Sequence, residues 1–202
     1  RPDEEIVVGR AYTIFATGDW FPGTLLYPSL VMYLATVALG VYYGIGRGMG
    51  HYDVPRDLVF EIALIHPGLE FWICRWVSVL AGVGTVWAVY ALSVAAFGRR
   101  SVGLVAALMM AVNPIHVRDS HFATVDITMT FFVALCLVFS VRAVVRPSLA
   151  YFALAGVFAG LATSAKYNAG LVVLSIVCAA WYAIRSQGIG WTGAAKRLVT
   201  AL

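Results

Sequence analysis

Charge is scarce in this 202-residue chain, with 61% of its residues hydrophobic and only 12% charged, whereas about a quarter to a third of a water-soluble surface is charged. A soluble globule is excluded. Acids are missing altogether beyond Asp126, so all 10 Asp and Glu residues lie between Asp3 and that position. Cysteine is reduced to Cys74, Cys136 and Cys178, each in or beside an apolar run. They lack metal-ligand spacing, and an odd count builds no disulfide framework. There is no glycine-rich phosphate loop, zinc motif or nucleophile elbow. The net charge of +4 is scattered between apolar runs, which points to membrane topology and away from nucleic acid. The chain opens on Arg1-Pro2-Asp3-Glu4-Glu5 without a targeting stretch and stops soon after Lys196-Arg197-Leu198-Val199. A piece of a longer membrane protein is expected.

What the chain does have is apolar length. A hydrocarbon core about 30 Å thick is crossed by roughly 17 to 25 helical residues, because only helices and closed barrels satisfy their backbone there. Barrel strands alternate, whereas these runs are continuous, so an all-α polytopic membrane protein is expected. The spans read as Val77 to Phe97, Ser101 to Val117, Ile127 to Val145, Leu149 to Ala165, and Ala169 to Ile184. A sixth run, Thr24 to Gly46, is long enough to cross but carries Pro28, Ser29, Thr36, four tyrosines and three glycines. Gly156 and Gly160, and Gly82 and Gly84, read as packing features that permit close helix approach. Residues 188–202, with Trp191, read as an interfacial stretch.

Charge placement orients the spans. Arg99-Arg100, Arg142 with Arg146, and Arg185 with Lys196 and Arg197 lie at alternate junctions, and cytoplasmic loops carry such Lys/Arg excess. The junctions Arg118 to Asp126 and Lys166 to Asn168 then face the outside, together with the acids. Asp3 shares that face with Asp126 only if Thr24 to Gly46 is not a further crossing. The expected organisation is therefore 1–74 as a first outer loop with interfacial or re-entrant helices, and 75–202 as a bundle of about five spans.

Several groups could carry chemistry. Asp3-Glu4-Glu5 is either a solvated loop or the source of a carboxylate that acts as a general base at the membrane interface. His51 and Asp53 could share a metal, although a solvated surface segment accounts for them as well. In the loop from Asn113 to Asp126, Pro114 breaks the preceding helix. His116, Arg118, Asp119, His121 and Asp126 are dense polarity for so apolar a chain, and ionisable groups at membrane depth are functional candidates. Asp126 also suits a helix N-cap, directly before Ile127-Thr128-Met129. Lys166, in Lys166-Tyr167-Asn168, reads as a snorkelling anchor or as a cation held for a phosphate, and Arg75 and Arg118 are further cations of that kind.

The order of these features, from Asp3-Glu4 through Gly18-Asp19-Trp20, Tyr27-Pro28-Ser29-Leu30, Arg75 and Phe97-Gly98-Arg99-Arg100, continues with Ser120-His121-Phe122-Ala123-Thr124-Val125-Asp126. It ends with Gly160-Leu161-Ala162-Thr163-Ser164 and Ala165-Lys166-Tyr167. The set resembles the N-terminal half of GT-C membrane glycosyltransferases, in the family 39 branch of protein O-mannosyltransferases and lipid A aminoarabinose transferases. Where the lipid A enzymes have a Lys-Pro-Pro element, this chain has Tyr27-Pro28-Ser29. The resemblance implies a GT-C-like helix bundle at the cell (inner) membrane. Its active site, on the non-cytoplasmic face, would move a sugar from a polyprenyl-phosphate carrier to an acceptor hydroxyl on protein, lipid or glycan, with inversion. It implies Asp3, with Glu4 beside it, as the catalytic carboxylate, Asp126 as the acid of the second outer loop, and Arg75 and Lys166 as carrier-phosphate contacts. Arg118, His121 and Tyr167 complete the expected substrate-binding set, and a divalent cation is an open cofactor. An ion-coupled transporter titrating Asp126 or Lys166, and a non-catalytic assembly subunit, are the alternatives. The first lacks a second copy of the acidic loop, and the second leaves the outer charges without a task.

Overall fold

A computed structural model describes residues 2–21, 23 and 27–187. Arg1, Pro22, Thr24 and the stretch 188–202, with Trp191, Lys196 and Arg197, lie outside the described residues. Among the described residues every regular element is helical: α1 Pro2–Thr17, α2 Leu30–Gly48, α3 Pro55–Phe60, α4 Leu69–Phe97, α5 Arg100–Ala111, α6 Pro114–Ser120, α7 Val125–Val145, α8 Leu149–Ala165 and α9 Val173–Gln187. A π-helical turn, Glu61–Ile65, follows α3, and a 3₁₀ turn, Tyr167–Val172, leads into α9. The expected all-α polytopic architecture is present.

Local chemistry sets the boundaries. Gly68 and Gly98 bracket α4 with φ of 99° and 68°, a left-handed conformation that side chains resist. Pro55 opens α3, and the Asp57 carboxylate accepts the N–H groups of Asp53 and Val54 at 2.7 and 2.8 Å. Those backbone bonds hold the Asp57 carboxyl below the ordinary range. Asn113 caps α6 by accepting from Ile115 and His116 at 3.0 and 3.1 Å, and Pro114 supplies the first helical residue. The expected span Ser101 to Val117 is consequently two helices, α5 and α6, bent by 62°.

The other expected spans fall within helices. Leu69–Phe97, Val125–Val145 and Tyr167–Ser186 are long and apolar enough to cross a membrane, and α8 is apolar at 17 residues. At 29 residues α4 is about 43 Å long, more than the hydrocarbon thickness of about 30 Å. The open run resolves into α2, which also meets the length and composition for crossing. Its core partners, however, are α1, Leu58, Ile62, the Ile73–Cys74 turn of α4, and Ala123, Val125 and Ala165. That cluster sits at one end of α4, α7 and α8. Separate clusters around Ala88, Leu135 and Cys136 fill the middle of the bundle.

The glycine reading needs correction in α8. A Cβ placed on Gly156 or Gly160 meets nothing within 4 Å. The buried stripe of α8 is Ala155, Ala159, Ala162 and Ala165 instead, so small residues do allow close approach, but from a face that the glycine spacing missed. Gly82 and Gly84 do sit at close contacts, where a Cβ would lie 2.5 Å from Ser120 Oγ and 2.6 Å from the Phe131 ring. Replacing Gly82 by Leu should therefore destabilise the protein by about 1–3 kcal/mol through overpacking. Gly160→Leu should stay within about 0.5 kcal/mol. Thermal unfolding of the two variants in detergent checks this contrast, and equal effects would contradict it.

Candidate active site

Glu4 is the most deeply buried charge in the described structure, at 2% exposure. Burying an ionised carboxylate costs several kcal/mol unless its oxygens are paired, and three donors meet it. Arg75 Nε donates to Oε1 at 2.7 Å and Nη2 to Oε2 at 3.1 Å, a bidentate fork, while the Ala123 N–H donates to Oε1 at 3.0 Å. Three segments far apart in sequence, α1, α4 and the loop before α7, are joined at this one side chain. The Arg75 guanidinium also lies 5.6 Å from the Phe122 ring centroid. Burial pushes the Glu4 carboxyl up, but the hydrogen bonds from Arg75 and Ala123 outweigh it and hold the group below its ordinary value.

A second ion pair stands beside it. Lys166, the residue after α8, donates to Asp126 Oδ1 at 2.6 Å. Asp126 does not cap α7. Thr124 holds that position, and Asp126 lies in the first turn, where the helix dipole favours an anion. The hydrogen bond to Asp126 raises Lys166 above the ordinary lysine range, against the opposing cost of burial. Asp3 completes the group. Exposed, and in no ion pair among the described residues, it accepts from Tyr27 Oη at 3.0 Å. That bond, with some burial, raises the Tyr27 phenol, and Lys166 and Asp126 are close enough to act on it electrostatically.

The chain thus brings Asp3, Glu4, Arg75, Asp126 and Lys166 to one end of the bundle. Arg118, His121 and Tyr167 stand differently. Arg118 pairs with its neighbour Asp119 at 2.9 Å, and His121 donates from Nδ1 to the Val117 carbonyl at 2.6 Å. Neither is hydrogen-bonded to the five. Tyr167 opens the 3₁₀ turn beside Lys166 with 56% of its surface exposed. His116, noted for its density of charge, is buried with Nε2 3.2 Å from the Gly82 carbonyl. His51 lies against its own Met49 carbonyl, and among the described residues no three His, Cys, Asp or Glu side chains form a metal-binding group. Tyr27 and the Ala123 N–H were not foreseen as site groups, although both lie in quoted motifs, Tyr27-Pro28 and Phe122-Ala123-Thr124.

Because the Glu4 carboxyl sits below its ordinary value when folded, its share of stability is present above that value and is lost as pH falls through the depressed one. Glu4→Gln should cost about 1.5–3 kcal/mol at neutral pH. Its unfolding temperature should also depend less on pH below about 4.5 than that of the parent. Thermal unfolding between pH 7 and pH 3 measures both, and parallel pH profiles would contradict the pairing.

The chain matches the family model described as dolichyl-phosphate-mannose-protein mannosyltransferase over residues 58–200. The match takes in Arg75, Asp126 and Lys166 and begins after Asp3 and Glu4. No curated protein and no solved structure matched the chain. The match bears out the resemblance to GT-C glycosyltransferases, and with its apolar helices the protein is an integral membrane protein. Glycosyl transfer is the activity that the family's description names, and this chain belongs to that dolichyl-phosphate-mannose-protein mannosyltransferase family.

Proposed function

We propose that this protein transfers a sugar, with inversion, from a polyprenyl-phosphate carrier to an acceptor hydroxyl on the non-cytoplasmic face of the cell (inner) membrane. The observation that carries this reading is the gathering, at one end of an apolar bundle, of two carboxylate-held cations and a carboxylate that is in no ion pair among the described residues. On this reading the described part of 1–74 is the outer layer over that end, with α2 lying along the interface.

The roles follow from which atoms are already committed. Glu4 spends both oxygens on Arg75 and Ala123, so it positions α1 and leaves its neighbour Asp3 as the base. Arg75 uses two of its five N–H groups on Glu4, and Lys166 one of its three on Asp126. The remaining donors are available to a phosphate. Asp126 thereby acts as a positioning residue for Lys166. In the reaction the acceptor oxygen bonds to the anomeric carbon from the side opposite the carrier. The bond from that carbon to the phosphate oxygen breaks, and its electron pair leaves with the phosphate. Asp3 takes the acceptor proton as this charge develops. Preoriented cations favour that charge because they need not reorganise when it appears. Arg118, His121 and Tyr167, all exposed, serve contacts with substrate groups away from the reacting atoms.

Asp3→Asn should lower turnover of polyprenyl-phosphate-mannose by about 10²- to 10⁴-fold, the usual worth of a positioned base, while folding and carrier binding persist. Lys166→Ala should weaken carrier binding about tenfold or more. Radiolabel transfer and carrier binding in detergent read these two effects. Full turnover without the Asp3 carboxylate, or unaltered carrier affinity without Lys166, would overturn the respective assignment.

A further inference from the structure

The other end of the bundle holds a feature that sugar transfer does not use. The C-terminal turns of α4 and α7 and the first turn of α8 enclose a groove of about 500 Å³, with Trp87, Tyr90, Gly98, Arg142, Arg146 and Tyr151 in its wall. Along α4, Arg75 and Val94 are separated by about 28 Å, and along α7, Asp126 and Arg142 by about 24 Å. These separations approach the hydrocarbon thickness of about 30 Å. The groove therefore opens near the opposite membrane surface from Glu4 and Asp126, which the Lys/Arg bias makes the cytoplasmic one.

Its charge is uncompensated among the described residues. The chain has no Asp or Glu between Glu70 and Asp119 and none after Asp126, so no carboxylate belongs to the helix ends that form the groove. Neither Arg142 nor Arg146 is in an ion pair among the described residues. Arg142 stands in the last turn of α7 and Arg146 is the residue that ends it, and both line the groove. The Arg142 guanidinium rests 5.5 Å from the Phe139 ring centroid, which limits its freedom before any ligand arrives. Arg99 and Arg100 flank the groove at the α4 to α5 turn, next to Gly98. The rest of the wall is aromatic and aliphatic, with Trp87 58% exposed. Trp87 stands ten residues before the end of α4, about 15 Å along the helix, at the depth of an acyl chain.

We propose that this groove binds an anionic phospholipid of the cytoplasmic leaflet, its phosphodiester held by Arg142 and Arg146 and its acyl chain lying against Trp87 and Val94. The combination selects a lipid. Two guanidinium forks match a phosphate, basic pockets between helices on this side take anionic headgroups, and the apolar wall gives a soluble anion nothing to bury. A zwitterionic lipid brings an amine that these arginines repel. The site lies a membrane thickness from Asp3 and Lys166, so it binds whether or not the sugar-transfer mechanism is right.

Native mass spectrometry of the purified full chain, titrated with phosphatidylglycerol or phosphatidylcholine, tests the proposal, with thermal unfolding in the same mixtures as a second readout. Phosphatidylglycerol should give a retained adduct and a raised unfolding temperature, and phosphatidylcholine should give neither. Each arginine changed to glutamine should weaken the adduct about fivefold, with Arg142→Gln/Arg146→Gln abolishing the preference. Arg146→Gln alone, at the exposed end of α7, keeps the test informative if the double variant does not fold. Equal retention of the two lipids, or an undiminished preference in the variants, would show arginines that only reach for water and would overturn the proposal. A thermal shift reproduced by inorganic phosphate would overturn it in favour of a soluble anion.

Discussion

The fold turns on how one buried carboxylate is satisfied. Left unpaired, the Glu4 charge would carry a desolvation cost of several kcal/mol, comparable with a large part of a domain's whole stability. It is offset only where Arg75 and the Ala123 N–H meet it together. Two of those donors belong to one guanidinium, whose planar fork fixes direction as well as distance. Residue 4 thus ties the start of α1 to α4 and to the loop that leads into α7. Everything near it inherits that placement. Asp3 is forced to the exposed side of the same turn, and Val7, Val8 and Ala11 are delivered to the apolar cluster against α2.

A second constraint is the division of charge between the two ends of the bundle. Carboxylates occupy only the end with Glu4 and Asp126, and these two each find a cation from another element. The far end has arginines without acids. Between them run the clusters of Ala88, Leu135, Cys136 and Ala159, closed by small residues that let α7 and α8 approach. One physical rule accounts for both ends, since ions are tolerated beside lipid when paired or when they can reach water and headgroups. In the proposed reading, this pattern serves chemistry on a phosphate-linked substrate at one face and an anionic lipid at the other.

Much of the fold was legible in the sequence because hydropathy reports helix length and proline reports helix breaks. The helices around Val77 to Phe97 and Ile127 to Val145, and the break at Pro114, follow from those signals. Asp126 and Lys166 were singled out separately, but their contact was not legible, because pairing across 40 residues depends on how α7 and α8 pack. The same limit hid the contrast between adjacent acids. Asp3 and Glu4 are alike as residue types, and only the direction of one helical turn buries the second and exposes the first. The cap on α7 was misread for a related reason, since Thr124 and Asp126 both suit a helix start and the register decides between them. In α8 the glycine spacing was conspicuous and uninformative, while the plainer alanines lay on the packed face.

The central claim is that Asp3, Glu4, Asp126 and Lys166 share one non-cytoplasmic face while Arg142 and Arg146 lie on the other. Membrane-impermeant maleimide labelling of single cysteines, introduced as Glu5→Cys, His121→Cys and Arg146→Cys in a chain otherwise free of cysteine, tests it most directly in sealed vesicles of known orientation. The account predicts labelling of positions 5 and 121 from the non-cytoplasmic side and of position 146 from the cytoplasmic side. Labelling of 5 and 121 from opposite sides would contradict it.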